Sequence, residues 1–104
     1  MNIEIETNFT PLFTAYNDLP NGITKRIISS LEKRDIFSES VTTAIFTISS
    51  GVVAGTIANV FGSWIYEKIK NKHQAKIKIN RREVTITKSD IIKVLSEEIE
   101  IEIK

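Results

Sequence analysis

The sequence predicts an α+β fold whose main element is one long central helix rich in glycine and alanine. An uncharged middle (residues 41–66), a shorter amphipathic stretch before it and alternating stretches after it lead to this prediction. The chain is treated as a single domain, residues 1–104, because domains commonly have about 100–150 residues. Its predicted parts are a strand, loop and short helix (1–38), the long central helix (39–73), and a hairpin, short helix and tail (74–104).

The composition is that of a folded chain without a chain-wide charge field. Hydrophobic residues make up 41% and charged residues 26%, so enough apolar surface exists for a core. Fourteen basic and thirteen acidic residues nearly cancel, so a partner attracted by charge would have to contact a local patch. No cysteine is present, which excludes disulfides and thiolate chemistry.

The first part of the chain predicts a strand, a loop and an amphipathic helix. Residues 3–6 alternate isoleucine with glutamate, as in a short edge strand. Residues 8–22 contain both prolines and end in a turn-forming cluster, which predicts a loop. Residues 23–34 are predicted to be a helix, because Ile23, Ile27, Ile28 and Leu31 recur at helical spacing.

The central helix is predicted to carry a face of small residues opposite a face of bulky ones. On a helical wheel the small face gathers alanines, glycines and one threonine, a pattern that lets another helix backbone approach closely. We predict a helix-packing interface at these positions: Ala44, Thr47, Gly51, Ala54, Gly55, Ala58 and Gly62.

The C-terminal part predicts a β-hairpin, a short helix and a last strand. Residues 75–79 and 84–87 alternate apolar and polar positions and are joined by a polar turn. Ser89 or Asp90 is expected to cap a short helix. Residues 98–103 alternate glutamate with isoleucine, which favours a strand over continued helix.

The length of the predicted helix leads to the functional hypotheses. Residues 40–72 would form a rod of nearly 50 Å, at about 1.5 Å per residue, longer than its own domain. The leading hypothesis is a non-enzymatic assembly module that self-associates or docks another protein through the small face. The alternative is a membrane-inserting oligomeric effector or pore former, because the uncharged stretch is long enough to span a bilayer. The corresponding locations are cytoplasmic, or associated with the inner membrane with the C-terminal half in the cytoplasm.

Residues suited to catalysis are sparse in this sequence. His73 is the only histidine, and its basic neighbours favour a solvated helix end over a general base. We therefore expect no enzyme activity, no metal, no cofactor and no small-molecule substrate. Nucleic-acid binding is a less favoured hypothesis, because no aromatic residues interleave with the basic run that would contact phosphates or lipid headgroups. That run comprises Lys68, Lys70, Lys72, Lys76, Lys78, Arg81 and Arg82.

The order of these elements resembles the small effector-associated constant components of bacterial conflict systems. An alanine- and glycine-rich helix ends at residues 63–70, residues 77–86 form a hairpin pattern, and a short helix begins at Asp90. The resemblance covers mainly residues 44–99. It implies a non-enzymatic adaptor or assembly module that serves a defence effector.

Overall fold

The computed structural model describes residues 1–32, 40–49, 53–72 and 74–103. Within these residues the chain forms five strands and three helices. In chain order they are β1 (Asn2–Thr7), α1 (Pro11–Thr14), β2 (Ile23–Glu32), β3 (Ser40–Ile48), α2 (Ala54–Ile69), β4 (Ile77–Ile79), β5 (Arg82–Val84) and α3 (Lys88–Ile103).

The described strands form one antiparallel sheet in the order β2-β3-β1-β4-β5. The sequence predicted β1 as an edge strand, which is wrong: Ile5 of β1 pairs with Ala44 of β3 on one side and with Ile79 of β4 on the other. The long edge of the sheet is β2, whereas the opposite edge, β5, has 3 residues.

The core lies between one face of the sheet and the helices. Ile3 and Ile5 of β1 alternate with the more exposed Asn2, Glu4 and Glu6, so one face of the strand is buried. On β3, Phe46 is buried beneath the helices. Its ring centroid lies 5.0 Å from that of Phe61 in α2 and 5.7 Å from that of Phe13 in α1.

The long central helix is not formed, and its predicted span of residues 39–73 contains two separate elements. Residues 40–48 are a strand and residues 54–69 are a helix of 16 residues. The strand follows from its content of β-branched residues and from alternation, because Thr42, Ala44, Phe46 and Ile48 are buried. Residues 50–52 and the predicted helix end at residue 73 lie outside the described residues.

The amphipathic helix predicted over residues 23–34 is also wrong, since residues 23–32 form β2. The cause is a β-bulge. Ile27 pairs with Ala44 and the next pair is Ser29 with Thr43, so Ile28 is an extra residue. The insertion disrupts the two-residue period and leaves isoleucines at a spacing that imitates a helix. The remainder of the predicted helix, residues 33 and 34, lies outside the described residues.

The C-terminal region differs from the predicted short helix and last strand. Helix α3 has 16 residues and includes the tail that was predicted as a strand. Ile91, Leu95 and Ile99 are buried at four-residue spacing, which continues one apolar face through the alternating segment. Strands β4 and β5 belong to the main sheet, and Asn80 and Arg81 connect them with φ values of 48° and 68°, as in a type I′ turn.

Candidate functional site

The predicted small-residue interface does not form one helix face. Ala44 and Thr47 lie on β3, where Ala44 is buried and Thr47 donates a hydrogen bond to Asn2 Oδ1 at 3.0 Å. Four of the remaining positions, Ala54, Gly55, Ala58 and Gly62, lie on α2, and Gly51 lies outside the described residues. The described residues of the predicted interface are therefore divided between β3 and α2, and they do not form one surface.

Close helix packing through a glycine does occur, but it takes place within the chain. A Cβ atom added at Gly62 would lie 2.5 Å from Ile92 Cγ1 and 3.2 Å from Ile92 Cα. Helix α3 thus covers this part of α2, and Ala58 is buried in the core. Gly55 is exposed, and a Cβ there would meet nothing within 4 Å.

The basic run predicted as an anion or headgroup contact is spread over α2, the β4–β5 turn and neighbouring strands. Four of its members form ion pairs in the same chain, and three of these pairs are at hydrogen-bond distance: Lys68 with Asp18 at 2.8 Å, Lys70 with Glu67 at 2.9 Å, and Arg82 with Glu97 and Glu98 at 2.9 and 3.0 Å. Arg81 lies 3.8 Å from Glu4, and the Lys72 ammonium lies 5.3 Å from the Phe9 ring centroid. These contacts reduce the positive field that the sequence suggested.

The two other lysines of the run line a shallow cavity of about 210 Å³ beside β1 and β4. Lys76 and Lys78 share this cavity with Glu6 and Glu83. Lys78 is paired across the sheet with Glu6 on one side and Glu83 on the other. The cavity therefore has charges of both signs, which does not select an anion.

A polar cluster on α2 holds the segment before β2 in place. Asp18 accepts hydrogen bonds from Lys68 Nζ at 2.8 Å and from Trp64 Nε1 at 3.3 Å. The Lys68 hydrogen bond is the main cause that holds the pKa of Asp18 below its usual value. The Lys68 ammonium also lies 4.7 Å from the Tyr16 ring centroid, so it contacts both the Asp18 carboxylate and an aromatic ring of the same segment.

The outer edge of β2, here defined as residues 23–28 and called the β2 edge, presents backbone groups without a described partner. Gly22 and Ser49 are opposite each other, and Ser49 N–H donates to Gly22 O at 2.8 Å. Because bonded and non-bonded positions alternate along an antiparallel pair, Thr24 and Arg26 direct their backbone groups to β3. Lys25 and Ile27 then direct theirs outward, where the described residues supply no backbone partner.

Exposed apolar side chains accompany these outward backbone groups. Ile27 and Ile28 are 43% and 53% exposed. Long edge strands with exposed apolar residues are templates for pairing with another strand, and proteins commonly shield them with charges or bulges. Here the bulge at Ile28 limits the regular part of the edge to residues 23–27. Lys25 is not a free shielding charge, because its ammonium donates to Phe13 O and to Tyr16 O.

An apolar cleft of about 450 Å³ adjoins the beginning of β2, and we call it the α2 groove. Val53 and Val60 of its wall are 70% and 46% exposed. The groove is connected to the β2 edge through Pro20, whose carbonyl accepts the N–H of Ile23 at 3.2 Å. The lining residues are Pro20, Asn21, Val53, Thr56, Ile57 and Val60.

Reasoning from the sequence missed the β2 edge because it assigned these residues to a helix. The available signal was the β-branched content of residues 41–48, which predicts a strand that needs a partner nearby in the sequence. The α2 groove could not be predicted from the sequence, since its walls come from a loop and a helix that are distant along the chain.

The described residues contain no group of three or more histidine, aspartate or glutamate side chains arranged to hold a metal ion. None of the described helices combines the length and apolar character that crossing a bilayer requires. A scan against protein-family models and searches of curated proteins and of solved structures returned no match.

Proposed function

We propose that the protein is a non-enzymatic interaction module that binds an extended polypeptide segment along the β2 edge. The observation that carries this proposal is the long edge strand whose backbone groups at Lys25 and Ile27 point outward next to exposed isoleucines. Strand addition uses such groups for affinity and uses neighbouring pockets for specificity. The α2 groove is a neighbouring apolar pocket of this kind.

The proposed contact surface is the sheet edge and not the small-residue face of the helix. Gly62 and Ala58 are covered within the chain and do not offer a surface to a partner. The resemblance to effector-associated constant components adds the proposal that the bound partner belongs to a bacterial or phage conflict system, with this chain as the adaptor.

The experiment is a selection of random twelve-residue peptides displayed on phage against the immobilised protein. We expect the selected peptides to shift the backbone amide resonances of Lys25 and Ile27 in NMR titrations. Ile27→Pro should abolish this binding while the β3 ladder remains, because proline removes an N–H that points away from β3.

Ile27→Thr is the matched control, since it also removes apolar surface but keeps the N–H donor. Its binding should be reduced far less than that of Ile27→Pro. Selected peptides that bind the proline variant as tightly as the original protein would contradict the proposed function.

A further inference from the structure

The described side chains of β2 give its edge a positive charge. Residues 23–28 include Lys25 and Arg26 and no acidic residue. The Lys25 ammonium donates to the backbone carbonyls of Phe13 and Tyr16, and no carboxylate of the described residues forms an ion pair with it. Arg26 is exposed, and within the described residues no carboxylate lies at ion-pair distance from it.

The backbone geometry places Arg26 at a position where its side chain would lie closest to the facing side chain of an added strand. Lys25 and Ile27 point their backbone groups outward, so they would form the hydrogen-bonded pairs with an antiparallel partner. Arg26 would then face its partner residue in a non-hydrogen-bonded pair, where the Cα atoms are about 4.5 Å apart and the side chains are closest. Opposite charges in such pairs contribute about 0.2–1 kcal/mol.

The exposed apolar surface around Arg26 indicates which residue types should accompany the residue that faces Arg26 on an added strand. Ile27 is paired with the buried Ala44 and therefore lies on the helix side of the sheet, opposite to the side of Arg26. An added strand that covers Ile27 needs an apolar residue next to the one facing Arg26. A strand that continues past Ile23 reaches Pro20 and the α2 groove, where a second apolar side chain can be buried.

A second copy of this chain fits the edge less well than a different, acidic strand. Its β2 strand would bring a second Arg26 side chain and the same bulge to the contact. Like charges that face each other across a strand pair are destabilising, and a bulge interrupts the regular ladder.

We propose that the partner segment is an extended, acidic strand in which a carboxylate faces Arg26 and apolar residues flank it. This proposal rests on the proposed function, because it names the chemistry of the segment that the β2 edge binds. The carboxylate forms an ion pair on the open face of the sheet. One flanking apolar residue covers Ile27, and an apolar residue farther along the segment, beyond Ile23, enters the α2 groove.

The test uses three capped peptides that differ at one central position, with the sequences Ser-Thr-Val-Glu-Val-Thr-Ser, Ser-Thr-Val-Gln-Val-Thr-Ser and Ser-Thr-Val-Lys-Val-Thr-Ser. Binding is measured by NMR titration of the full chain, following the amides of Lys25 and Ile27. We expect the glutamate peptide to bind about 1.4- to fivefold more tightly than the glutamine peptide, as the cross-strand energy implies, and the lysine peptide to bind least. Arg26→Glu should reverse the order of the glutamate and lysine peptides.

The remaining outcomes distinguish the proposal of strand addition at the β2 edge from the proposal of an acidic partner segment. Equal affinities for all three peptides, with binding still lost in Ile27→Pro, would overturn the acidic partner and leave strand addition intact. No binding at the edge by these peptides or by any peptide from the display selection would overturn both. A dimer that Ile27→Pro dissociates, without peptide binding, would assign the edge to a second copy and overturn the acidic partner.

Discussion

Gly55 and Gly62 lie on the same helix but differ in what surrounds them. At Gly62 the backbone of α3 is so close that a Cβ atom would lie 3.2 Å from Ile92 Cα, whereas space around Gly55 is open. Both glycines were predicted at one interface. The three-dimensional packing distinguishes Gly62, which the close contact with α3 requires, from Gly55, which only weakens its helix.

Replacing these two glycines by alanine should therefore change the stability in opposite directions. Gly62→Ala is expected to lower the free energy of unfolding by about 1–3 kcal/mol, because the added methyl overpacks the contact with α3. Gly55→Ala is the matched control and should raise it by up to about 1 kcal/mol through helix propensity. Urea denaturation measures both, and a Gly62→Ala variant as stable as Gly55→Ala would refute the close approach.

Asp18 should make the stability depend on pH at the acidic end. Its pKa is lowered in the folded state, chiefly by the hydrogen bond from Lys68, relative to an ordinary value of 3.8. Because the pKa of Asp18 is lower in the folded state, its carboxylate contributes fully to the stability of the fold above pH 3.8. This contribution is lost as the pH falls through the folded-state pKa.

The measurement compares the original protein with Asp18→Asn by urea denaturation at several pH values. The difference in unfolding free energy should be constant near neutral pH and should shrink below about pH 4, where the unfolded carboxyl becomes protonated. Lys68→Met should remove most of this pH dependence. A difference that is the same at pH 2.5 and pH 7 would show that Asp18 acts without its charge.

At the scale of the elements, Lys25 attaches β2 to the end of α1. Its ammonium donates to the carbonyl of Phe13, which the short helix leaves without an intrahelical donor, and to the carbonyl of Tyr16, just after the helix. The contact fixes the loop that leads to the α2 groove. A strand residue thus completes the hydrogen bonding of a helix end.

Lys25→Met should lower the free energy of unfolding by about 1–3 kcal/mol, because partly buried carbonyls lose their donor while the apolar stem is kept. Arg26→Met is the neighbouring control; Arg26 has no described ion pair, so its replacement should change the stability by no more than about 0.5 kcal/mol. Thermal unfolding followed by circular dichroism would compare them. Equal midpoints for the two variants would contradict the role of Lys25.

The elements also show how far the sequence could predict the fold. The alternation of residues 3–6 identified β1 as a strand, because half-burial on a sheet leaves a two-residue period. The same rule misassigned residues 98–103: Ile99 is buried but Ile101 is 64% exposed, so their alternation reflects no sheet face. The spacing of Ile91, Leu95 and Ile99 was the better signal, since it continues the predicted helix.

The candidate site was less predictable than the strands. The β2 edge depends on a bulge after Ile27 and on which neighbour each strand lacks, and both are properties of long-range pairing. The uncharged stretch of residues 41–66 identified surface that needs covering but not what covers it. For Gly62 the covering residue is Ile92 of α3, distant in the sequence.

At the scale of the whole molecule, the position of β1 has a consequence for synthesis on the ribosome. β1 is made before the other described elements, but it lies in the middle of the sheet, and its Ile5 pairs with Ala44 and with Ile79. A nascent chain therefore carries the unpaired Ile3 and Ile5 until β3 emerges, and the second side of β1 stays open until β4 follows. Contacts this distant along the chain form slowly and leave apolar strands open to aggregation, so we expect chaperones to bind this protein mainly while it is still being translated.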